Sequence, residues 1–519
     1  MNQPIRFYHQ GRITEVNQVP PTQTVLDWLR EDAQCKGSKE GCNEGDCGAC
    51  TVVVAELAQP GDAQAVQGLK LQTVNACIQL LPSLQGKALF TVEDLKRIGQ
   101  LAPASSNSCA HLHPVQQALV ECHGSQCGFC TPGFAMSLWA VYEQHKAQRG
   151  AAPTRQQLAD ALSGNLCRCT GYRPILDAGQ RMFDLPAQTL AAAPVVAALQ
   201  SLHSDEDWQY SDGQTQFYAP ASLASLARLR EQLPQARLIA GTTDVGLWIT
   251  KQFRELGDLI AVGRVAELQR IEERDGVLHI GAGASLEAAW AALAQRWPSL
   301  TEVWLRFASP PVRHTGTMGG NVANGSPIGD APPVLMALDA QIVLRQGERV
   351  RRMALADFYL DYMKNQLQPG ELVQALEVPL PGPAQQVRAY KISKRFDCDI
   401  SALCAGFALT LDGAGLVQSV RLAYGGMAAT VKRAAQAEAA LLGQPWDAAA
   451  VKRAQAALAQ DFQPLTDMRA SDSYRMKVAQ NLLQRLWLET RPDAPLPGAA
   501  TSVWSVMPHN MAAAVAQGV

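Results

Sequence analysis

The sequence has no uninterrupted apolar run approaching the roughly 18 residues that a membrane span needs. Its first stretch, MNQPIRFYHQGRITEV, lacks the apolar segment of a secretory signal. There is no long run of Lys or Arg, and the formal net charge is −2, so composition gives nucleic-acid binding no electrostatic support. No internal repeat is found. These absences set the expectation of a soluble, cytoplasmic protein with no membrane or nucleic-acid partner. At 519 residues, 47% hydrophobic, the chain can bury several cores; its length predicts about three to four domains.

What the sequence does have is cysteine. There are thirteen, and eleven of them precede residue 170. In a reducing compartment disulfides are disfavoured, so crowded thiols point to metal or to catalysis. The stretch GCNEGDCGAC holds Cys42, Cys47 and Cys50, and Cys77 follows in VNACIQL. The spacing of four and then two residues between the first three matches a plant-type [2Fe–2S] loop. Glycines at 41, 45 and 48 let the backbone approach and turn N–H groups toward sulfur. Structural zinc also takes four cysteines, but more often through paired C-x2-C knuckles.

A second set, Cys127 and Cys130 with Cys167 and Cys169, lies in SQCGFCTPG and GNLCRCTGYRP. Each pair precedes a predicted helix, and a helix N-terminus offsets the negative charge of a four-thiolate centre. Alone, this set could hold zinc; beside the first loop, a second [2Fe–2S] cluster is expected. Cys35, Cys109, Cys122, Cys398 and Cys404 show no partner pattern and are read mostly as buried thiols, with Cys122 the one to check.

The expected organisation is multidomain α+β. Residues 1–90 alternate strand-like runs (IRFYH, RITEV, TVVVAEL) with one helical segment, TVLDWLRED, predicting a small mixed sheet. Residues 91–183 turn helical, with Pro132 and Pro174 where a first helical turn accepts proline. Residues 184–214 lack a clear period and read as a linker laid over a neighbour. An α+β region spans 215–380, strands followed by helices span 381–495, and residues 496–519 form a tail with little to pack against.

Beyond residue 215, RLIAGTTDVG reads as a strand ending in a glycine turn. VRHTGTMGGNVANGSPIGD reads as a loop able to surround a pyrophosphate with backbone N–H groups and side-chain donors, or as an ordinary glycine-rich surface loop. GAGASLEAAW mimics a dinucleotide fingerprint, but Leu286 replaces its third glycine, so Ser285 is read as a helix cap.

The ferredoxin-like loop followed by GSQCGFCTPG and GNLCRCTGYRPI resembles the iron–sulfur portion of the xanthine dehydrogenase and aldehyde oxidase family of molybdenum hydroxylases. IAGTTDVG, TGTMGGNVANGSPIGDAPPVL, YKISKRFDCDI and DMRASDSYRMKVAQNLL continue the likeness. The resemblance implies a β-grasp ferredoxin-like domain and a four-helix [2Fe–2S] domain. It further implies an FAD-binding domain of the vanillyl-alcohol-oxidase (PCMH) type and an α+β C-terminal domain like that of the CO dehydrogenase flavoprotein.

By matching position, the resemblance places Leu238, Gly241, Thr242, Thr243, Asp244 and Val245 beside FAD. It does the same for Phe307, Thr315, Thr317, Gly320, Asn321, Asn324, Asp330 and Lys391. It sets Gln126 and Cys169 near a molybdopterin–molybdenum cofactor on another domain or subunit. FYLDYMKN departs from the family, with Asp361 and Met363 where a Gly and an Arg are more usual. No molybdenum region follows the flavin region, so the pattern looks like the small subunit of a bacterial member whose large partner chain carries molybdenum and its acid–base residue, in a dimer of heterodimers. The implied traffic runs from a purine at molybdenum (hypoxanthine or xanthine, ending in urate) through the Cys127 set, then the Cys42 set, to FAD and NAD+. Oxidation of an aldehyde or an N-heterocycle by the partner is the alternative, and a zinc-holding structural or regulatory module is a further one.

Overall fold

The computed structural model describes residues 3–100, 112–148, 150–382 and 384–503. Cys109 and most of the expected tail, from residue 504, lie outside the described residues. The chain forms two compact units: one takes residues 1–221, 235–264 and 309–316, the other 222–234, 265–308 and 317–519.

The first unit opens with β1 (Ile5–His9), β2 (Arg12–Val16), β3 (Thr51–Leu57), β4 (Leu69–Asn75) and β5 (Ala88–Phe90). They form a mixed sheet in the order β2-β1-β5-β3-β4, in which β1 and β5 run parallel. Val53 and Ala55 of β3 enter a core with Phe90, Trp139 and Tyr142, while Val52 and Val54 enter another with Ile5, Phe7 and Trp28. Side chains alternate across a strand, so covering both faces accounts for the unbroken apolar run VVVA within TVVVAEL. The segment TVLDWLRED is helical as expected but short. Thr24 caps Val25–Asp27, and the turn then widens so that the Ala33 N–H reaches the Trp28 carbonyl at 2.9 Å, burying both Trp28 and Leu29.

After a leading helix, Val92–Gln100, the helix Thr131–Gln148 packs on that sheet, and Pro114–Glu121, Arg155–Ala161 and Arg173–Arg181 form a bundle with it. His113 and Thr154 each close a capping box with a glutamine three residues on. Residues 184–214, read as a linker, contain a helix, Ala192–Leu202, and the strand β6 (Trp208–Ser211). Ala192, Val195, Leu199 and Leu202 make one apolar stripe that the surrounding alanines and prolines mask. A second sheet, β6 with β7 (Gln216–Ala219), β8 (Arg237–Ile239) and β9 (Leu259–Ala261), runs in the order β6-β7-β9-β8.

In the second unit, β10 (Ile271–Arg274), β11 (Val277–Gly281), β12 (Gln341–Gln346), β13 (Arg349–Ala354) and β16 (Leu372–Pro379) make an antiparallel sheet ordered β10-β11-β16-β12-β13. β14 (Tyr359–Asp361) and β15 (Lys364–Asn365) form a separate hairpin, whose turn holds Met363 at φ 54°. β17 (Gln385–Ile392), β18 (Leu403–Leu411), β19 (Val417–Gly425) and β20 (Lys432–Arg433) form the last sheet, and the helices Ala435–Leu441, Ala448–Asp461 and Asp472–Thr490 follow it. Ser285 accepts the Ala288 N–H and starts the helix Leu286–Arg296, so the glycine-rich decoy is a capped strand–helix turn. No helix among the described residues is long and apolar enough to cross a membrane.

Candidate functional site

The loop 41–50 leads into β3, and Cys77 sits just past β4. The N–H groups of Asp46 and Cys47 both point at the Cys42 sulfur at 3.3 Å, and the Cys42 N–H points at the Cys47 sulfur at 3.3 Å. The four sulfurs touch in the order Cys47, Cys42, Cys77, Cys50. Hydrogen bonds from Cys47 and Cys77 hold the Cys42 thiol well below its ordinary range, and Cys77 does the same for Cys50. Cys47 is pushed up through its bond to Cys42, and Cys77 through its bonds to Cys42 and Cys50. Among the described residues no group of three or more His, Cys, Asp or Glu is arranged around a single ion. Four adjacent thiols fed by backbone N–H donors suit a binuclear iron–sulfur centre.

The second set is also gathered. Cys130 lies against Cys167, and Cys127 against Cys169. Burial, then Cys167, pushes the Cys130 thiol up to about 12. Burial, the largest single influence, raises Cys167, but hydrogen bonds from the Thr170 hydroxyl (3.2 Å) and N–H (3.5 Å), the Cys169 N–H and Cys130 together bring that thiol down. Cys127, Cys169 and Gln126 are exposed, while Cys167 is buried. The two cysteine loops meet: the Leu166 N–H donates to the Cys47 carbonyl at 3.0 Å. Gly48, at φ 67°, has no room for a Cβ against the Gly164 carbonyl.

Of the other thiols, Cys35 and Cys404 are buried, as read, and Cys122 and Cys398 are half-buried. Burial pushes the Cys35 thiol up to about 11 and raises Cys122 as well.

Within the first unit, Leu238 lies in β8, and the turn after it brings Thr242 to φ 55°. The N–H groups of Gly241, Thr242, Thr243 and Val245 find no acceptor among the described residues. Such a run of free N–H groups around a left-handed residue is an anion cradle, and it fits the pyrophosphate of FAD. Gly241 packs on the Thr315 carbonyl so closely that no side chain fits there. Asp244 precedes the helix Val245–Thr250, whose Thr250 hydroxyl donates to the Asn43 carbonyl at 2.8 Å.

Within the second unit, the expected loop around 318–324 is a helix, Met318–Asn324, capped by the Thr317 hydroxyl on the Gly320 N–H. The Met318 and Gly319 N–H groups donate to the Ala284 and Ala282 carbonyls at 2.9 Å. Gly319 allows that approach, since a Cβ there would run into Ala282. The N–H groups of Met318, Gly319, Gly320 and Asn321 are therefore spent internally. What it offers is side chains: Asn321 Oδ1 is buried with no partner, and a flavin donor would satisfy it. Phe307 is buried. Asp330 and Lys391 are buried and paired at 2.6 Å, and Ser401 closes the triangle, accepting from Lys391 (2.8 Å) and donating to Asp330 (2.6 Å). Sequence reasoning missed Ser401, ten residues beyond Lys391. It also missed Asn75, whose buried amide braces the Gly45 carbonyl at 2.9 Å.

Four domain families match the chain. Residues 7–81 match a 2Fe-2S iron-sulfur cluster binding domain and residues 98–180 a [2Fe-2S] binding domain. Residues 213–381 match the FAD binding domain in molybdopterin dehydrogenase, and residues 388–490 the CO dehydrogenase flavoprotein C-terminal domain. Xanthine dehydrogenase of Emericella nidulans is 31% identical over 88% of this chain, and aldehyde oxidase 4 of Cavia porcellus is 30% identical over 85%. The chain spans 36% of the length of each of these curated relatives. Carbon monoxide dehydrogenase from Hydrogenophaga pseudoflava, solved lacking the Mo-pyranopterin moiety, superposes with a TM-score of 0.50 at 28% identity. That match covers 52% of this chain and 95% of the other.

Proposed function

Because the chain belongs to the molybdenum hydroxylase family, as its iron–sulfur and FAD part, we propose that it conducts electrons from a molybdenum centre on a large partner subunit to NAD+. The substrate of the complex is proposed to be hypoxanthine or xanthine, oxidised to urate. The observation that carries the reading is the presence in one unit of two gathered four-sulfur sets whose loops are hydrogen-bonded to each other. When bound, the clusters supply one-electron chemistry and the flavin joins it to two-electron chemistry.

Cys42, Cys47, Cys50 and Cys77 are the proposed ligands of one [2Fe–2S] cluster, and Cys127, Cys130, Cys167 and Cys169 of the other. The N–H groups of Gly241, Thr242, Thr243 and Val245 would hold the FAD pyrophosphate, beside Leu238, Asp244 and Thr315. In the second unit Phe307, Thr317, Gly320, Asn321, Asn324, Asp330 and Lys391 are the proposed FAD residues. Exposure of Cys127, Cys169 and Gln126 supports a partner covering that face, and a dimer of heterodimers in the cytoplasm is the proposed assembly.

The test is co-purification with the partner, followed by metal, flavin and turnover analysis. Iron, FAD, molybdenum and NAD+-linked hypoxanthine turnover are expected together. A colourless protein holding zinc would overturn the redox reading. Similarity to an aldehyde oxidase at nearly the same identity keeps an aldehyde or N-heterocycle substrate as the second reading, and inactivity on hypoxanthine with activity on such a compound would select it.

A further inference from the structure

Asn165 lies two residues before Cys167 and is buried. Its side chain is joined to three residues of the first unit, on two separate elements. Nδ2 donates to the Gly48 carbonyl at 3.1 Å and to the Thr51 hydroxyl at 3.2 Å, reaching both sides of Cys50. Oδ1 accepts the Ser137 hydroxyl at 2.7 Å, and Ser137 is on the helix that begins directly after Cys130. The amide orientation follows from chemistry: the Gly48 carbonyl can only accept, so nitrogen must face it. That carbonyl also accepts from the Thr51 N–H (3.1 Å) and hydroxyl (2.7 Å). The next residue, Leu166, donates its N–H to the Cys47 carbonyl. Gly48 and Gly133 touch so closely that a Cβ on Gly133 would meet the Gly48 carbonyl.

Both Nδ2 hydrogens of this amide are used, and its bonds run to the first cysteine loop and to the helix of the second. Removing the side chain leaves the Ser137 hydroxyl without this acceptor and leaves the Gly48 carbonyl held by Thr51 alone. The adjoining Cys47 carbonyl would then lose one of the ties that keep it aligned on Leu166. That alignment leaves a continuous covalent path, broken by one hydrogen bond, from the Cys47 side chain to the Cys167 side chain.

We propose that Asn165 is a positioning residue for electron exchange between the two cysteine-ligated centres, acting by holding the Gly48 carbonyl so that the neighbouring Cys47 carbonyl stays bonded to the Asn165–Leu166 peptide. This deepens the iron–sulfur reading and rests on it. In the exchange one electron leaves the reduced centre of the Cys127 set and enters the oxidised centre of the Cys42 set. No bond forms or breaks, and Asn165 neither gains nor loses a proton.

The experiment uses the purified full-length chain and its N165A and S137A variants, reduced with substoichiometric dithionite. Iron content, the two electron paramagnetic resonance signals, their mutual magnetic splitting and the rate of electron redistribution are measured. With both clusters loaded, N165A is expected to change the splitting and slow redistribution by about tenfold or more, the scale of an ångström-sized misplacement between reacting centres. S137A, losing one hydrogen bond, should show a smaller change in the same direction. Should N165A fail to load iron, S137A and T51V decide. Loaded variants with wild-type splitting and rate would overturn the proposal and leave the iron–sulfur reading intact. A wild-type chain holding zinc, or no iron, would instead overturn that reading.

Discussion

The Thr242 hydroxyl donates a 2.7 Å hydrogen bond to the carbonyl of Ile78, the residue after Cys77. Gly246, four residues on, packs against the same Ile78 with no space for a side chain. The turn that carries the anion cradle is thus fixed to the turn that carries a proposed cluster ligand. Thr242 adopts its left-handed conformation, rare for a threonine, with its hydroxyl bound on the far side.

Replacing Thr242 with valine keeps the shape and removes the donor. The Ile78 carbonyl loses this buried partner, at a cost of about 1–3 kcal/mol, and the cradle loosens. Equilibrium denaturation and FAD content after gel filtration check this; we expect lower stability and less than stoichiometric FAD.

The Lys391–Asp330–Ser401 triangle predicts a larger effect. Asp330→Ala leaves a buried ammonium with only Ser401, and removing one member of a buried pair costs about 3–5 kcal/mol. Ser401→Ala should cost far less, because the ion pair survives. Urea unfolding of both variants, followed by tyrosine and tryptophan fluorescence, separates the two cases.

Cys77→Ser should remove one cluster and leave the other, lowering iron to about half, since each binuclear centre needs its own four ligands. Cys35→Ser should leave iron unchanged. Iron analysis and low-temperature magnetic resonance on the two proteins give the answer.

Two buried titratable groups hold residues 188–190 and oppose each other in pH. Glu143 accepts the Leu190 N–H at 3.0 Å, and burial raises its carboxyl from 4.5 to about 7. The folded state therefore binds more protons than the unfolded one between about pH 4.5 and 7, and stability falls as pH rises through that window. His113 faces the Gln188 carbonyl at 3.0 Å, and burial lowers it from 6.5 to about 4, so its contribution rises with pH between about 4 and 6.5. Glu143→Gln should stabilise the protein above pH 7 by up to about 3 kcal/mol, while leaving it unchanged below 4.5. A series of urea melts across pH 4–8 would show the rising limb of His113 alone in this variant.

Local chemistry made part of the molecule legible in its sequence. The cysteine spacing located both thiol sets, Pro132 and Pro174 marked helix starts, and Ser285 was readable as a cap because its neighbours fit no nucleotide turn. Other features depended on distant partners. Gly319 and Gly320 look like loop residues until Ala282 is seen to require a glycine beside it. The helix Ala192–Leu202 hides its stripe among alanines, which suit either face. Asn165 and Thr242 meet their partners 117 and 164 residues away, and no local pattern records such a contact.

The contact between Asn165 and Gly48 also orders events in the life of the chain. Closing it brings together residues 117 apart in sequence, and a contact of such long range carries a larger loop-closure cost than the local contacts of strands and helices. Until then the two thiol loops are not yet pressed together, and the glycines that later exclude every side chain from their junction leave it open. Metal delivered to the protein during synthesis would meet the proposed ligands in this unlocked state. Metal delivered later has to work around a junction already shut.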